Sequence, residues 1–330
     1  MTPRVLFIVN AGPDVGGGHV MRSLTLAAAL TERGAQCQFL ADASVEAILA
    51  AFAPDLPRRA VTSLAPEALV EAAAGLAFEA VVFDHYGLAR PEHQAIADGR
   101  PAVVIDDLAD RRLGGSLVLD SGPGRTDADY RGLTEGARLM LGPRYAPVRP
   151  AFAALRNEAL ARRAEPLRRV LVSMGLTDVG GITSQVVERV RRRFGDTELD
   201  VVVGAAAPSR KGLTRIAAHD PRLTLHVDTP HMAELATAAD LAIGAAGSAM
   251  WERCVLGLPS VVVTLADNQL AAATSLAKAG AVLAVDGRAA SFETDFDRAL
   301  TRLFVDDTLR RGLAEKSAEL CDGQGATRVA

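Results

Sequence analysis

Short runs of Val, Ile and Leu recur along this chain, and few of them alternate apolar with polar residues. "VLFIVN", "QCQFLA", "AVVFDHY", "AVVIDD" and "SLVLD" come first, each bounded by turn residues. A strand with one wet face alternates. Continuous apolar runs belong to strands covered on both faces, and hence to a parallel sheet. Longer Ala- and Glu-containing stretches with helical spacing lie between several of the runs. Strand and helix taking turns predicts an α/β chain.

The pattern pauses near residues 150 to 166, where "RPAFAALRNEALARRAEP" reads as a charged helix closing at Pro166. It restarts with "RRVLVSMG", "ELDVVVG", "LTLHV", "LAIGAA", "PSVVVTL" and "AVLAV". The 330 residues suffice for two domains, each with its own core. The expected organisation is therefore two Rossmann-like halves, 1–152 and 167–330, joined by an interdomain segment 153–166 and facing a cleft. Open α/β sheets bind ligands beyond the carboxyl ends of their strands, and every motif singled out below stands at such an end.

Bulk properties exclude several classes. Hydrophobic residues make up 49% and charged residues 23%, as in a folded globular chain. With 36 basic and 40 acidic residues the formal charge is −4, which favours neither nucleic acid nor an anionic membrane. The basic run Arg162, Arg163, Arg168 and Arg169 reads as a solvated segment between the domains. Three cysteines form no CxxC pair and leave an odd one over, which suits a reduced, cytoplasmic setting. The N-terminus reads as a first strand rather than a signal peptide. No apolar run approaches the ~18 residues of a transmembrane helix. No His/Cys cluster has zinc spacing, and no Gly-x-Ser-x-Gly elbow is present. "GPDVGGG" is not a dinucleotide fingerprint.

In the second half, "LAIGAAGSAMWERCVLGLPSVVVTLADNQ" carries the strongest pattern. A strand ends at Gly244, and Gly247 and Ser248 open a helix. Glycines at a helix N-terminus let a diphosphate approach backbone N–H groups. Ser248 suits either an N-cap or a donor to a phosphate oxygen. Glu252, one turn on, is placed to accept from two ribose hydroxyls. "VSMGLTD" repeats the layout with Gly175, Thr177 and Asp178, offering further amides to the same diphosphate.

With these residues assembled, the chain resembles the nucleotide-sugar hydrolases of pseudaminic acid biosynthesis. Those enzymes cleave UDP-2,4-diacetamido-2,4,6-trideoxy-β-L-altropyranose and share the GT-B fold of the MurG-type glycosyltransferases. The carrying segments are "GGGHVMRSLTLA", "VVFDHYGL", "VIDDLADR", "LGPRYAPVRPAF", "IGAAGSAMWERCVLGLPSVVV", "ADNQ" and "DGQGATRV". Two segments depart from the family's pattern. "MGLTDVGG" stands where Phe-Gly-Gly-Ser-Asp is usual, and "SGPGR" where Asn-rich versions are common.

The resemblance implies a GT-B fold and hydrolysis of a UDP-sugar without cofactor, metal, nucleic acid or membrane insertion. It gives the role of catalytic base to His19 and places Gly18, Tyr86 and Asn268 at the substrate. The chemistry agrees. Imidazole, with an unperturbed pKa of ~6.5, suits a base at neutral pH. A nucleoside diphosphate is a good leaving group, with a second phosphate pKa of ~6, so the paired carboxyls of ordinary glycosidases are not required. Arg22, one helical turn beyond His19, faces the same way; a carboxylate partner, the ligand and a surface salt bridge all remain open to it. His85 reads as a satisfied loop histidine, and Asp106 and Asp107 as loop and cleft residues. Two rival readings stand beside hydrolysis. One is a glycosyltransferase in which His19 deprotonates an acceptor hydroxyl. The other is a nucleotide-sugar binding module without catalysis. The oligomeric state is not readable.

Overall fold

The computed structural model describes residues 2–12 and 15–330, which divide into two compact units. The first comprises residues 1–147 and 324–330, the second 148–323. Seven parallel strands form the sheet of the first unit: β1 (Arg4–Val9), β2 (Gln36–Ala41), β3 (Arg58–Ala60), β4 (Ala80–Asp84), β5 (Ala102–Ile105), β6 (Leu117–Asp120) and β7 (Arg138–Leu141), in the order β3-β2-β1-β4-β5-β6-β7. Six more form the second sheet: β8 (Arg169–Ser173), β9 (Glu198–Val203), β10 (Leu223–Val227), β11 (Leu241–Ala245), β12 (Ser260–Thr264) and β13 (Leu283–Asp286), in the order β10-β9-β8-β11-β12-β13.

Both sheets are covered on two sides, which is why their strands do not alternate. In β1, Val5, Phe7 and Val9 enter one apolar core while Leu6 and Ile8 enter another across the sheet. In the second unit, Val170, Val172, Ile243, Val261 and Val263 share one core. Their neighbours Leu171, Ala242 and Val262 are buried on the opposite face. Two edge strands lie outside the apolar runs singled out above. β3 is the exposed edge triplet Arg58-Arg59-Ala60, and β7, "RLML", buries only Met140. No helix among the described residues is long and apolar enough to cross a membrane.

The stretch expected between the domains is part of the second unit. Residues Pro150–Arg162 form a helix that buries Phe152 and Ala159. The basic run expected to be solvated is so only at the exposed Arg168; guanidinium groups of Arg156, Arg162 and Arg163 meet carbonyls where helices end. Arg156 donates to Val255 O, to Cys321 O at 3.0 Å and to Ala318 O at 2.8 Å. Arg163 donates to Ala239 O at 2.6 Å and Leu256 O at 3.1 Å. Helix ends leave such carbonyls without partners, and the helix dipole favours a cation there. Arg169 instead pairs with the buried Asp200 at 2.7 Å.

Residues 324–330, expected with the second domain, pack in the first unit. The helix Gly325–Val329 is tied by Arg33 to Thr327 O at 2.6 Å and by Arg328 to Arg144 O at 2.8 Å. Gly325 is obligatory there, because a Cβ would stand 2.1 Å from Ala146 O.

Candidate active site

In the first unit the chain leaves β1 through a glycine turn in which Gly16 N donates to Gly12 O at 2.7 Å. Gly16 has φ +79°, a backbone that glycine adopts without strain. The helix Gly18–Glu32 then begins, with His19 as its second residue. His19, Arg22 and Ser23, three and four residues apart, share one helical face. All three converge on Asp84, the last residue of β4. His19 Nδ1 lies 2.5 Å from Asp84 Oδ1. Arg22 donates from Nε to Oδ2 at 2.7 Å and from Nη2 to Oδ1 at 2.6 Å, and Ser23 Oγ donates to Oδ2 at 3.1 Å. Parallel pairing of β1 with β4 sets Val9 beside Asp84 and so delivers the carboxylate to the start of the helix.

Asp84 is fully buried. Burial alone would raise its carboxyl, but Arg22, and after it His19, hold it well below the ordinary carboxylate range. An ionised Asp84 fixes the proton of His19 on Nδ1. The other nitrogen, Nε2, is left as a lone-pair acceptor. His19 makes no hydrogen bond through Nε2 among the described residues. This is the geometry of a general base.

The remaining groups hold that pair in place. Arg22 also donates from Nη1 to both oxygens of Asp107, at 2.9 and 2.8 Å. It is buried, so the surface salt bridge is overturned, and the carboxylate partners it meets are Asp84 and Asp107. Tyr86 Oη donates to Asp107 Oδ2 at 2.9 Å. Its ring meets the His19 ring edge-on, with centroids 4.5 Å apart. The hydroxyl proton of Tyr86 is thus committed to Asp107, and the ring steadies the imidazole. His85 stands in the loop after β4 but is not the satisfied histidine expected: Gly87 N donates to its Nδ1 at 3.1 Å, while its buried Nε2 has no hydrogen-bond partner among the described residues, and burial lowers its pKa to about 4. Asp106 is not a cleft residue. It is fully buried and accepts from Arg111 at 2.8 Å, Ala109 N at 2.8 Å and Tyr130 Oη at 2.9 Å.

The "SGPGR" segment is anchored to the same cluster. Arg125 Nη2 donates to Asp107 O at 2.6 Å, and Arg125 Nε lies 2.7 Å from Asp120 Oδ2. Burial pushes Asp120 up to about 6, Asp107 adds to the rise, and the Tyr130, Gly122 and Arg125 donors oppose it. A carboxyl whose pKa is higher folded than unfolded binds its proton more tightly in the native state. Its stabilising contribution is full below about pH 4 and is lost as pH rises to about 6. Across that window the melting temperature of the wild type is expected to fall relative to that of Asp120→Asn. A constant difference between the two proteins would refute this titration.

In the second unit three neighbouring strands end together. Ser173 of β8 pairs with Gly244 of β11, and Ala245 with Val263 of β12. The loop after β8 turns at Gly175 (φ +97°), Asp178 (φ +46°), Gly180 (φ +67°) and Gly181 (φ +69°). Asp178 is buried and organises it, accepting from Thr183 N at 3.0 Å, Thr183 Oγ1 at 2.5 Å and Ser209 N at 3.0 Å. Gly175 is exposed and Thr177 half-buried. Gly247 and Ser248 are half-buried in the loop after β11, with open space where a Cβ of Gly247 would stand. Ser248 makes no side-chain cap to the helix Ala249–Val255. Asn268, also half-buried, opens the helix Asp267–Lys278 after β12.

Glu252 has a partner that sequence did not suggest. Arg149 grips it with Nε to Oε1 at 2.7 Å and Nη2 to Oε2 at 3.1 Å, a fork that fixes the carboxylate plane. The lone pairs away from the fork remain for further donors. Among the described residues no group of three or more His, Cys, Asp or Glu side chains is arranged to hold a metal ion.

The two sheets and their helices build a GT-B fold. The structure aligns with MurG of Acinetobacter baumannii over 99% of this chain and 98% of that one, with a TM-score of 0.68 at 18% identity. The sequence model of the glycosyltransferase family 28 C-terminal domain matches residues 221–321, inside the second unit. The spore coat polysaccharide biosynthesis protein SpsG of Bacillus subtilis is 29% identical over 195 residues, 58% of this chain. That match spans only 57% of SpsG. The UDP-2,4-diacetamido-2,4,6-trideoxy-β-L-altropyranose hydrolase of Campylobacter jejuni is 23% identical over 281 residues, 84% of this chain and 97% of that enzyme.

Proposed function

We propose that this protein hydrolyses a UDP-linked 2,4-diacetamido-2,4,6-trideoxy sugar to the free sugar and UDP. The observation that carries the reading is the His19–Asp84 pair, which leaves one imidazole nitrogen free to take a proton from water. Similarity to the Campylobacter hydrolase along nearly its whole length supports the substrate class.

In the proposed reaction a water attacks the anomeric carbon from the face opposite UDP, and the configuration inverts. His19 Nε2 takes the water's proton as the new C–O bond forms. The bond from the anomeric carbon to the diphosphate oxygen breaks, and its electron pair leaves with UDP. Asp84 stabilises the imidazolium through the Nδ1–H bond, without taking the proton itself. The second unit is assigned the nucleotide. Gly175, Thr177, Gly247 and Ser248 are to meet the diphosphate, Glu252 the ribose, and Asn268 the acetamido sugar.

The match to the glycosyltransferase family 28 C-terminal domain favours a second reading, transfer of the sugar to an acceptor hydroxyl. One experiment separates them. The UDP-sugar is supplied in ¹⁸O-water with a chelator and no acceptor, and products are followed by NMR. Hydrolysis expects UDP release with label on the sugar's anomeric oxygen. Label on the phosphate would overturn C–O cleavage, and release that waits for an added acceptor would replace the hydrolase reading with the transferase.

A further inference from the structure

Four arginines among the described residues are buried: Arg22, Arg189, Arg253 and Arg310. Three of them are neutralised. Arg22 meets Asp84 and Asp107, Arg189 meets Glu293 and Asp297, and Arg310 meets Asp307. Arg253 is different. It is the most deeply buried of the four, at 3% exposure. Its hydrogen bond goes from Nη2 to a neutral carbonyl, Ala245 O, at 2.8 Å. Its Nε has no acceptor. Its acidic neighbour in sequence, Glu252, acts on it only through space and spends its hydrogen bonds on the fork of Arg149.

The guanidinium lies under the loop that leaves β11. A Cβ at Gly244 would stand 2.5 Å from Arg253 Nη1 and 2.9 Å from Ser173 O, so a bare backbone at position 244 is what makes room for it. Burial lowers Arg253 only to about 10, so it stays charged at neutral pH. Burying a cation without a counter-charge is strongly unfavourable, and well-packed apolar residues in such places are often no less stable. One hydrogen bond to Ala245 O is a small return to the fold for so deeply buried a cation.

We infer that Arg253 is the built-in counter-charge for a diphosphate bound on the loops after β8 and β11. Resting on the nucleotide-binding reading above, this adds an electrostatic residue that acts from beneath the loop rather than by touching the ligand. It is a positioning residue. Its field falls off slowly in the low-dielectric interior, so it discriminates for charge at the diphosphate and ignores the nucleoside.

Isothermal titration of UDP, uridine and inorganic pyrophosphate into the wild type and Arg253→Met tests this, with Arg253→Lys as the charge-keeping control. UDP and pyrophosphate are expected to bind the methionine variant at least about tenfold more weakly, with uridine within about twofold and lysine restoring most of the loss. The unliganded melting temperature of Arg253→Met is expected to equal or exceed that of the wild type. Equal loss of UDP and uridine, or unchanged UDP affinity, would overturn the counter-charge. If Arg253→Met does not fold, Arg253→Gln is read in the same way. A wild type that binds pyrophosphate through Arg253 but not UDP defeats the nucleotide reading and leaves the anion site standing. A wild type that binds neither anion defeats the inference itself.

Discussion

His19→Ala is expected to lower kcat by about a thousandfold while UDP affinity changes by less than about threefold. The asymmetry follows from where the residue stands. His19 belongs to the first unit, and every group assigned to the nucleotide belongs to the second. Alanine is well tolerated near a helix start and removes neither Arg22 nor Ser23 from Asp84, so the fold should survive. Single-turnover rates on the UDP-sugar and titration with UDP measure the two quantities separately. Turnover within about tenfold of wild type would remove His19 from the role of base, since general-base catalysis contributes at least about a hundredfold.

Asp84→Asn carries the second largest effect. The carboxylate is what fixes the Nδ1–H tautomer. An amide there can turn its NH₂ toward Nδ1 and drive the imidazole proton onto Nε2, where it blocks base catalysis. A fall in kcat of about 10²–10⁴ is expected, with little change in UDP affinity. The variant should also be less stable, because Arg22 loses one of its two carboxylates inside the protein. Breaking a buried ion pair costs about 3–5 kcal/mol, and the remaining pair with Asp107 places this case at the lower end. Rates measured well below the melting temperature separate the catalytic loss from the structural one. A variant that is destabilised yet turns over normally would reduce Asp84 to a scaffold for Arg22.

The two halves of the prediction have different roots in the sequence. All six strands of the second unit coincide with the six apolar runs after residue 166, because fully covered strands announce themselves by composition. β3 and β7 stand at the two edges of their sheet, where β3 needs no apolar run and the three apolar residues of β7 are too few to mark a strand. Arg162 and Arg163 differ from a solvated run for a related reason. A guanidinium on helix-end carbonyls and one in water look alike in a list of residues, and only the position of the helix ends distinguishes them.

At the candidate site, His19 and Tyr86 were legible through their motifs, whereas their partners were not. Asp84 stands 65 residues from His19, Asp107 lies 85 from Arg22, and Arg149 lies 103 from Glu252. One signal was present: an acidic residue at the end of an apolar run, in "VVFDHY", is where a parallel sheet presents functional groups. Nothing comparable marks Arg253, whose meaning lies in the lack of a direct ion pair, since Glu252 acts on it only through space.

By itself, then, the sequence determined whatever depends on near neighbours. Apolar runs dictated strands covered on both faces, and the spacing from His19 to Arg22 and Ser23 put three polar groups on one helical face. Tertiary structure decided what that face would meet. Strand order in a parallel sheet is settled by non-local packing, and β4 lies beside β1 although two strands intervene in the chain. That neighbour brings Asp84 to His19, turning a histidine at the start of a helix into one with a fixed tautomer and an open nitrogen.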